Sequence, residues 1–139
     1  MFVSESFSFL RNLELNNNKD WFEENRHIYQ SHIIAPIKKL IDDLDLFIIS
    51  EIDENLETKP TVNKAISRIY RDTRFSQNKL PFKNHIGFNF RKKSPHWKYH
   101  PSFFFRIFPD GYAFGMGVMK DNPDYFADFR QKKIGRAHV

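Results

Sequence analysis

The sequence predicts an α+β domain, with N-terminal helices followed by a mostly antiparallel sheet and a further helix. Three observations carry that expectation. From Phe7 to Ile48 the apolar residues recur at helical spacing. In residues 85–91, and again from Phe103 onward, strict alternation replaces it. Within that last stretch Pro109, Asp110 and Gly111 form a turn signal of the kind that joins neighbouring antiparallel strands.

The helices come first. Phe7, Leu10 and Leu13 fit a short amphipathic helix, with Phe9 beside the stripe and Ser4 or Ser6 as its cap. Asn16, Asn17 and Asn18 interrupt it. Asn18 suits the N-cap of a second helix, whose apolar side holds Trp21, Phe22, Ile28, Tyr29 and Ile33. Asp20, Glu23 and Glu24 then favour the positive end of that helix's dipole. Pro36 suits a first turn, after which Ile37, Leu40, Ile41, Leu44, Phe47 and Ile48 keep helical spacing. Lys38 with Asp42, and Lys39 with Asp43, pair on the outer face. Trp21 and its neighbours read as core before they read as a ligand surface. Residues 53–63 are polar, contain Pro60, and link the helices to the sheet.

In residues 66–71, Ile66, Arg68 and Tyr70 alternate with Ser67, Ile69 and Arg71. Both faces mix apolar and basic groups, so alternation leaves the buried side open. Residues 75–81 read as a loop that Phe75 and Phe82 anchor to the core. The next strand is clearer: Ile86, Phe88 and Phe90 face one way, and Gly87, Asn89 and Arg91 the other. Residues 91–101 form a basic connection containing His96, Trp97, Tyr99 and His100. Basic residues among aromatics suit nucleic acid, but an exposed hairpin connection is the plainer reading. His96 and His100 lack an identifiable third metal ligand.

In the final hairpin Phe103, Phe105 and Ile107 share a face, opposite Phe104, Arg106 and Phe108. The return strand groups Tyr112, Phe114, Met116 and Val118. Gly115 and Gly117 leave a bare floor on its other side, and Gly111 is expected in the left-handed turn position. The glycine spacing lacks the surroundings of a dinucleotide loop. Pro123 opens the further helix, with Tyr125, Phe126 and Phe129 apolar.

A chain of 139 residues fits one domain, and 16 Phe give it material for a core. The absence of cysteine removes disulfides and thiolate metal sites and fits a reducing, cytoplasmic setting. No signal peptide or membrane span is visible. The net charge of +5 is unevenly spread. Residues 64–98 hold ten Lys or Arg against one acid, so they carry +9 and the remainder −4.

That basic stretch is the candidate site. Arg68, Arg71, Arg74, Lys79 and Lys83 are the ligand-binding candidates, because a guanidinium fork suits phosphate or carboxylate. The competing reading ends these arginines on Asp72 and other carboxylates. Tyr70, Asp72 and His85 are the proton-transfer candidates if the chain is an enzyme. Ser76 has no base at a recognisable spacing. No metal motif, cofactor loop or complete catalytic set is present. The expected partner is therefore an anionic small molecule, bound without chemistry or by an enzyme of unassigned class, with nucleic acid third.

Three segments carry a family resemblance: NNNKDWFEENRHIY (residues 16–29), SRIYRDTRFSQNKLPFKNHIGFNF (67–90) and FFFRIFPDGYAFGMGVM (103–119). Together they resemble DUF2461, an uncharacterised family of bacterial and fungal proteins, over residues 7–130. The resemblance implies no established activity. It marks Arg68, Tyr70, Arg71, Asp72, Arg74, Phe75, Lys79, Pro81 and Lys83 as the family-like cluster. Gly115, Gly117 and Pro123 fall where the family's glycine-rich strand leads into a helix. Family members run longer, and the closing IGRAHV reads like a translated sequencing-library adapter. The expectation is thus a truncated domain over residues 1–133 and a non-native tail over 134–139, with part of the sheet left uncovered.

Overall fold

The computed structural model describes residues 2–118 and 136–138. Helix α1 (Ser4–Leu15) lays Phe7, Phe9, Leu10 and Leu13 into the core. Neither expected serine is its N-cap, which is Val3. Ser6 acts from within the first turn, accepting from the Val3 amide at 3.2 Å and donating to the His32 carbonyl at 2.6 Å.

That second bond has a cause further along the chain. α2 (Lys19–Glu24) and α3 (Arg26–Tyr29) lead through a π turn (Gln30–Ile34) into α4 (Ala35–Phe47) and a second π turn (Ile48–Ile52). Pro36 lies in the first turn of α4 and has no amide to offer the carbonyl four residues back. That carbonyl belongs to His32, and the Ser6 hydroxyl takes it instead. Ile37, Ile41 and Ile48 are buried as expected, but Phe47 is 55% exposed. At about 100° per residue, Ile48 stands about 20° from Ile37 around the helix, whereas Phe47 stands about 80° away. Lys39 pairs with Asp43 at 3.3 Å. Lys38 and Asp42 form no such pair among the described residues.

The three asparagines divide three tasks. Asn16 donates to the Asn12 carbonyl at 2.9 Å and closes α1. Asn18 caps α2, accepting from the Trp21 amide at 2.8 Å, as expected. Asn17 reaches across the fold. Its side chain donates to the Phe82 carbonyl at 2.9 Å and accepts from the Phe82 amide at 3.0 Å.

The sheet is antiparallel in the order β1 (Ile86–Phe90), β2 (Ser102–Phe108), β3 (Gly111–Gly117) and β4 (Arg136–His138). Its register aligns Ile86 with Ile107 and Tyr112, and Phe88 with Phe105 and Phe114. This apolar face meets the helices. Gly87, Asn89, Arg106 and Ala113 share the opposite face. Phe108 pairs with Gly111, so Pro109 and Asp110 alone make the connection. Gly111 belongs to β3 with φ 158°, nearly extended rather than left-handed. The close backbone approach falls at Gly87, where a Cβ would stand 1.8 Å from the Phe105 carbonyl oxygen. At Gly117 a Cβ would meet nothing within 4 Å.

Phe22 stacks on Phe82 at 4.5 Å and touches Tyr29 at 5.1 Å, at the centre of an aromatic cluster. A fully buried Phe contributes about 1.5–3 kcal/mol in transfer free energy. Phe82 is therefore the anchor that the loop was expected to have, at 1% exposure. Phe75 is not, for it is 95% exposed. Elsewhere Leu40, Leu44, Phe103, Phe105, Phe114 and Met116 line an apolar groove of about 390 Å³ between α4 and the sheet. The further helix expected from Pro123 lies outside the described residues.

Candidate functional site

The expected strand over residues 66–71 is an extended segment along the free edge of β1, held by single bridges rather than a continuous ladder. Ile66 bridges Phe88 and Tyr70 bridges Phe82. Between those bridges the edge segment advances four residues while its partner advances six. The two extra residues make a bulge around residues 83–86, and bulges re-aim side chains at such places. Backbone bonds brace it on both sides: Ser67 donates to Gly87 at 2.9 Å, Lys83 to Ile69 at 2.9 Å and Arg71 to Pro81 at 2.8 Å. Simple alternation fails here, since Ile66 and Ile69 are both buried while Arg68 and Tyr70 are exposed.

The edge segment over residues 63–74, with Lys83 from the bulge and Asn89 and Arg91 beside it, lines an open cleft of about 790 Å³. Arg68, Arg71, Arg74 and Lys83 line it together, with Tyr70 and Asp72. Lys64, Asn89 and Arg91 add to its polar lining, with Asn63, Ser67 and Thr73. Two candidates lie outside. Lys79 folds back on its own loop and donates from Nζ to the Thr73 carbonyl. His85 points elsewhere, its Nδ1 3.0 Å from Asn84 Oδ1 and its ring 5.3 Å from that of Phe108.

The basic side chains in the cleft have different partners. Arg74 makes a fork to Asp72, at 3.0 Å from Nε and 2.9 Å from the terminal nitrogen. The Arg74 backbone amide adds a third contact at 3.2 Å. Those bonds, the side-chain pair first, hold the Asp72 carboxyl down at about 2. Arg71 is a staple, donating to the carbonyls of Asn78 at 3.3 Å and Leu80 at 2.9 Å. Arg91 stacks on Trp97 at 4.3 Å. Arg74 thus ends on a carboxylate, as the competing reading expected, whereas Arg71 ends on backbone carbonyls, which neither reading expected.

Arg68 and Lys83 are different. Among the described residues Arg68, Lys83 and Arg106 form no salt bridge, although the Arg68 charge reaches Asp72 and helps lower its pKa. Arg106 donates to Asn89 Oδ1 at 3.3 Å, which joins it to the lining. Burial lowers the Lys83 pKa, and the charges of Arg106 and Arg68 lower it further. Burial and then Arg91 lower that of Arg106. Burial, Arg106 and Lys83 do the same to His85. Like charges are therefore held together at the bulge. Arg106 was not singled out from the sequence as part of this cluster. The available signal was a single guanidinium in an aromatic strand, on the face opposite Phe105.

The fold and the cleft together define a small α+β domain with a cationic cleft at one edge of its sheet. The chain belongs to the DUF2461 family, described as a conserved hypothetical protein, whose model matches residues 5–137. No curated protein and no solved structure matches the chain significantly. Among the described residues no helix is long and apolar enough to cross a membrane.

Proposed function

We propose that the cleft binds a small molecule through a phosphate or carboxylate group. One observation carries this reading: Lys83 is half-buried beside Arg68 and Arg106 with no carboxylate partner among the described residues. Clustering cations in a partly dry site costs folding free energy, and a bound anion returns it. Arg68 and Lys83 hold the anion, Arg106 supports them from behind Asn89, and Arg71 and Arg74 shape the wall.

An enzyme acting on such a ligand is the second reading, because Tyr70 faces the same cleft at 39% exposure. Asp72 suits proton abstraction poorly, since its carboxyl titrates at about 2.

The test is thermal unfolding against phosphorylated metabolites, dicarboxylates and chloride at matched ionic strength. A ligand at a hundred times its Kd raises stability by about 2.7 kcal/mol. Arg68→Ala and Lys83→Met are expected to fold and to lose that gain, while Arg74→Ala keeps most of it. Equal stabilisation of all four proteins, or none from any anion, refutes the proposal.

A further inference from the structure

Asn89 lines the cleft from β1, on the sheet face that also carries Arg106. Its backbone amide is taken by the Ala65 carbonyl at 2.8 Å. A side-chain amide has one accepting end and one donating end, so its orientation decides what it can bind. Arg106 fixes that orientation. A guanidinium only donates, so Asn89 turns its Oδ1 toward it, at 3.3 Å. Arg106 is itself steadied over the Phe104 ring, 5.5 Å from the centroid. The Nδ2 of Asn89 is left as a donor. Among the described residues it meets no acceptor, and it is not sealed from solvent.

The cations beside it donate as well. Arg68 comes from the edge segment and Lys83 from the bulge, so with Asn89 the donors belong to three different elements. Asp72 lines the same cleft, but both its oxygens already accept from Arg74. A carboxylate offers two oxygens in one plane and a single charge. A fully ionised phosphate monoester offers three acceptor oxygens around phosphorus and two charges. Donors from three elements, beside three clustered cations, match the phosphate.

We infer that the cleft selects the dianion of a phosphate monoester over a carboxylate, and that Asn89, turned by Arg106, donates to one of its oxygens. Asn89 is then a specificity-determining residue and Arg106 a positioning residue. The inference rests on the anion-binding reading above and narrows it to one group in one ionisation state. A protonated phosphate oxygen would set a donor against donors, so the monoanion binds less well. Affinity should therefore follow the second ionisation of the ester, at about pH 6. The protein's own charges around the site are Arg68, Tyr70 and Asp72 on the edge segment and Lys83 and His85 at the bulge. Arg91 on β1 and Arg106 on β2 complete them. Asp72 stays ionised down to about 2. His85 and Lys83 can only gain protons as pH falls, which strengthens the binding of any anion. Sulfate feels those charges equally but does not titrate itself in this range, so it is the reference.

The experiment measures calorimetric affinities of ribose 5-phosphate, gluconate and sulfate for the whole chain at constant ionic strength. At about pH 7.5 ribose 5-phosphate should bind about tenfold more tightly than gluconate, the gain expected of one further hydrogen bond to a charged group. Between about pH 7.5 and about pH 5 its affinity should fall about tenfold relative to that of sulfate, as the dianion is lost. Asn89→Leu removes the donor and should bring the two esters of comparison, phosphate and carboxylate, to within about twofold of each other. Asn89→Asp should lose the preference too, although it still offers Arg106 an acceptor. Equal binding of ribose 5-phosphate and gluconate, or a pH profile parallel to that of sulfate, overturns the inference while the anion site stands. So does an unaltered preference in either variant. Failure of all three probes to bind overturns both.

Discussion

Replacing Asn17 with Ala tests how the cleft is positioned. Phe82 bridges Tyr70, but the flanking bonds run from Lys83 to Ile69 and from Arg71 to Pro81. The amide and carbonyl of Phe82 therefore face away from Tyr70, where a further strand would lie. Asn17 supplies the missing partner with both ends of its side-chain amide. Each bond is worth about 1 kcal/mol net, and a stranded backbone group costs about 1–3 kcal/mol. Water reaches half-buried Asn17 in part, so Asn17→Ala should lose about 2 kcal/mol in urea unfolding and roughly 6–10 °C in Tm. Asn17→Asp should recover little, because its second oxygen would oppose the Phe82 carbonyl. Hydrogen exchange at the Phe82 amide should accelerate, and anion affinity should fall as Lys83 is loosened. The exposed neighbour provides a control, Asn16→Ala staying within about 0.5 kcal/mol. A loss below about 0.5 kcal/mol in Asn17→Ala, or equal losses at both positions, would refute the reasoning.

Gly87→Ala forces a Cβ to within 1.8 Å of the Phe105 carbonyl oxygen, so β1 and β2 must separate. Soluble expression or Tm should collapse, whereas Gly117→Ala should be tolerated. The His85 pKa is lowered in the fold by burial, Arg106 and Lys83, against an unperturbed 6.5. Its contribution is therefore complete above about pH 6.5 and is lost as pH falls through the folded pKa, at no more than about 1.4 kcal/mol per pH unit. His85→Gln should flatten that segment of the stability profile. Arg71→Ala removes bonds to two loop carbonyls. It should raise amide exchange across residues 72–80 and lower Tm without ligand, which a contact used only for binding would not do.

The fold class was legible because periodicity passes from helical spacing up to Ile48 to alternation after His85. Asn18 as a cap and the aromatic face of the hairpin followed from the same local rules. The edge segment was less legible for a physical reason. The segment bends at Ile69 instead of running as a regular strand, so alternation no longer tracks burial and Ile66 and Ile69 are both buried. Phe75 was assigned to the core by residue type alone, and only the braced loop shows it facing out. The candidate cations were visible as a charge run, but their separate tasks depend on partners far apart in sequence. Arg71 reaches Leu80, and Arg106 comes to Asn89 from the next strand. Phe47 shows the limit of a helical stripe, whose last member fell on the flank.

The proposed anion site consists of Arg68 and Lys83, with Arg106 in support. The most direct measurement is an NMR titration with inorganic phosphate at constant ionic strength, following the Arg68, Lys83 and Arg106 signals and the His85 ring. If the site is real, those residues shift saturably with one common Kd. The His85 pKa also rises as the bound anion offsets its cationic neighbours. Linear, unsaturated shifts scattered over the surface, with the His85 pKa unmoved, would contradict it.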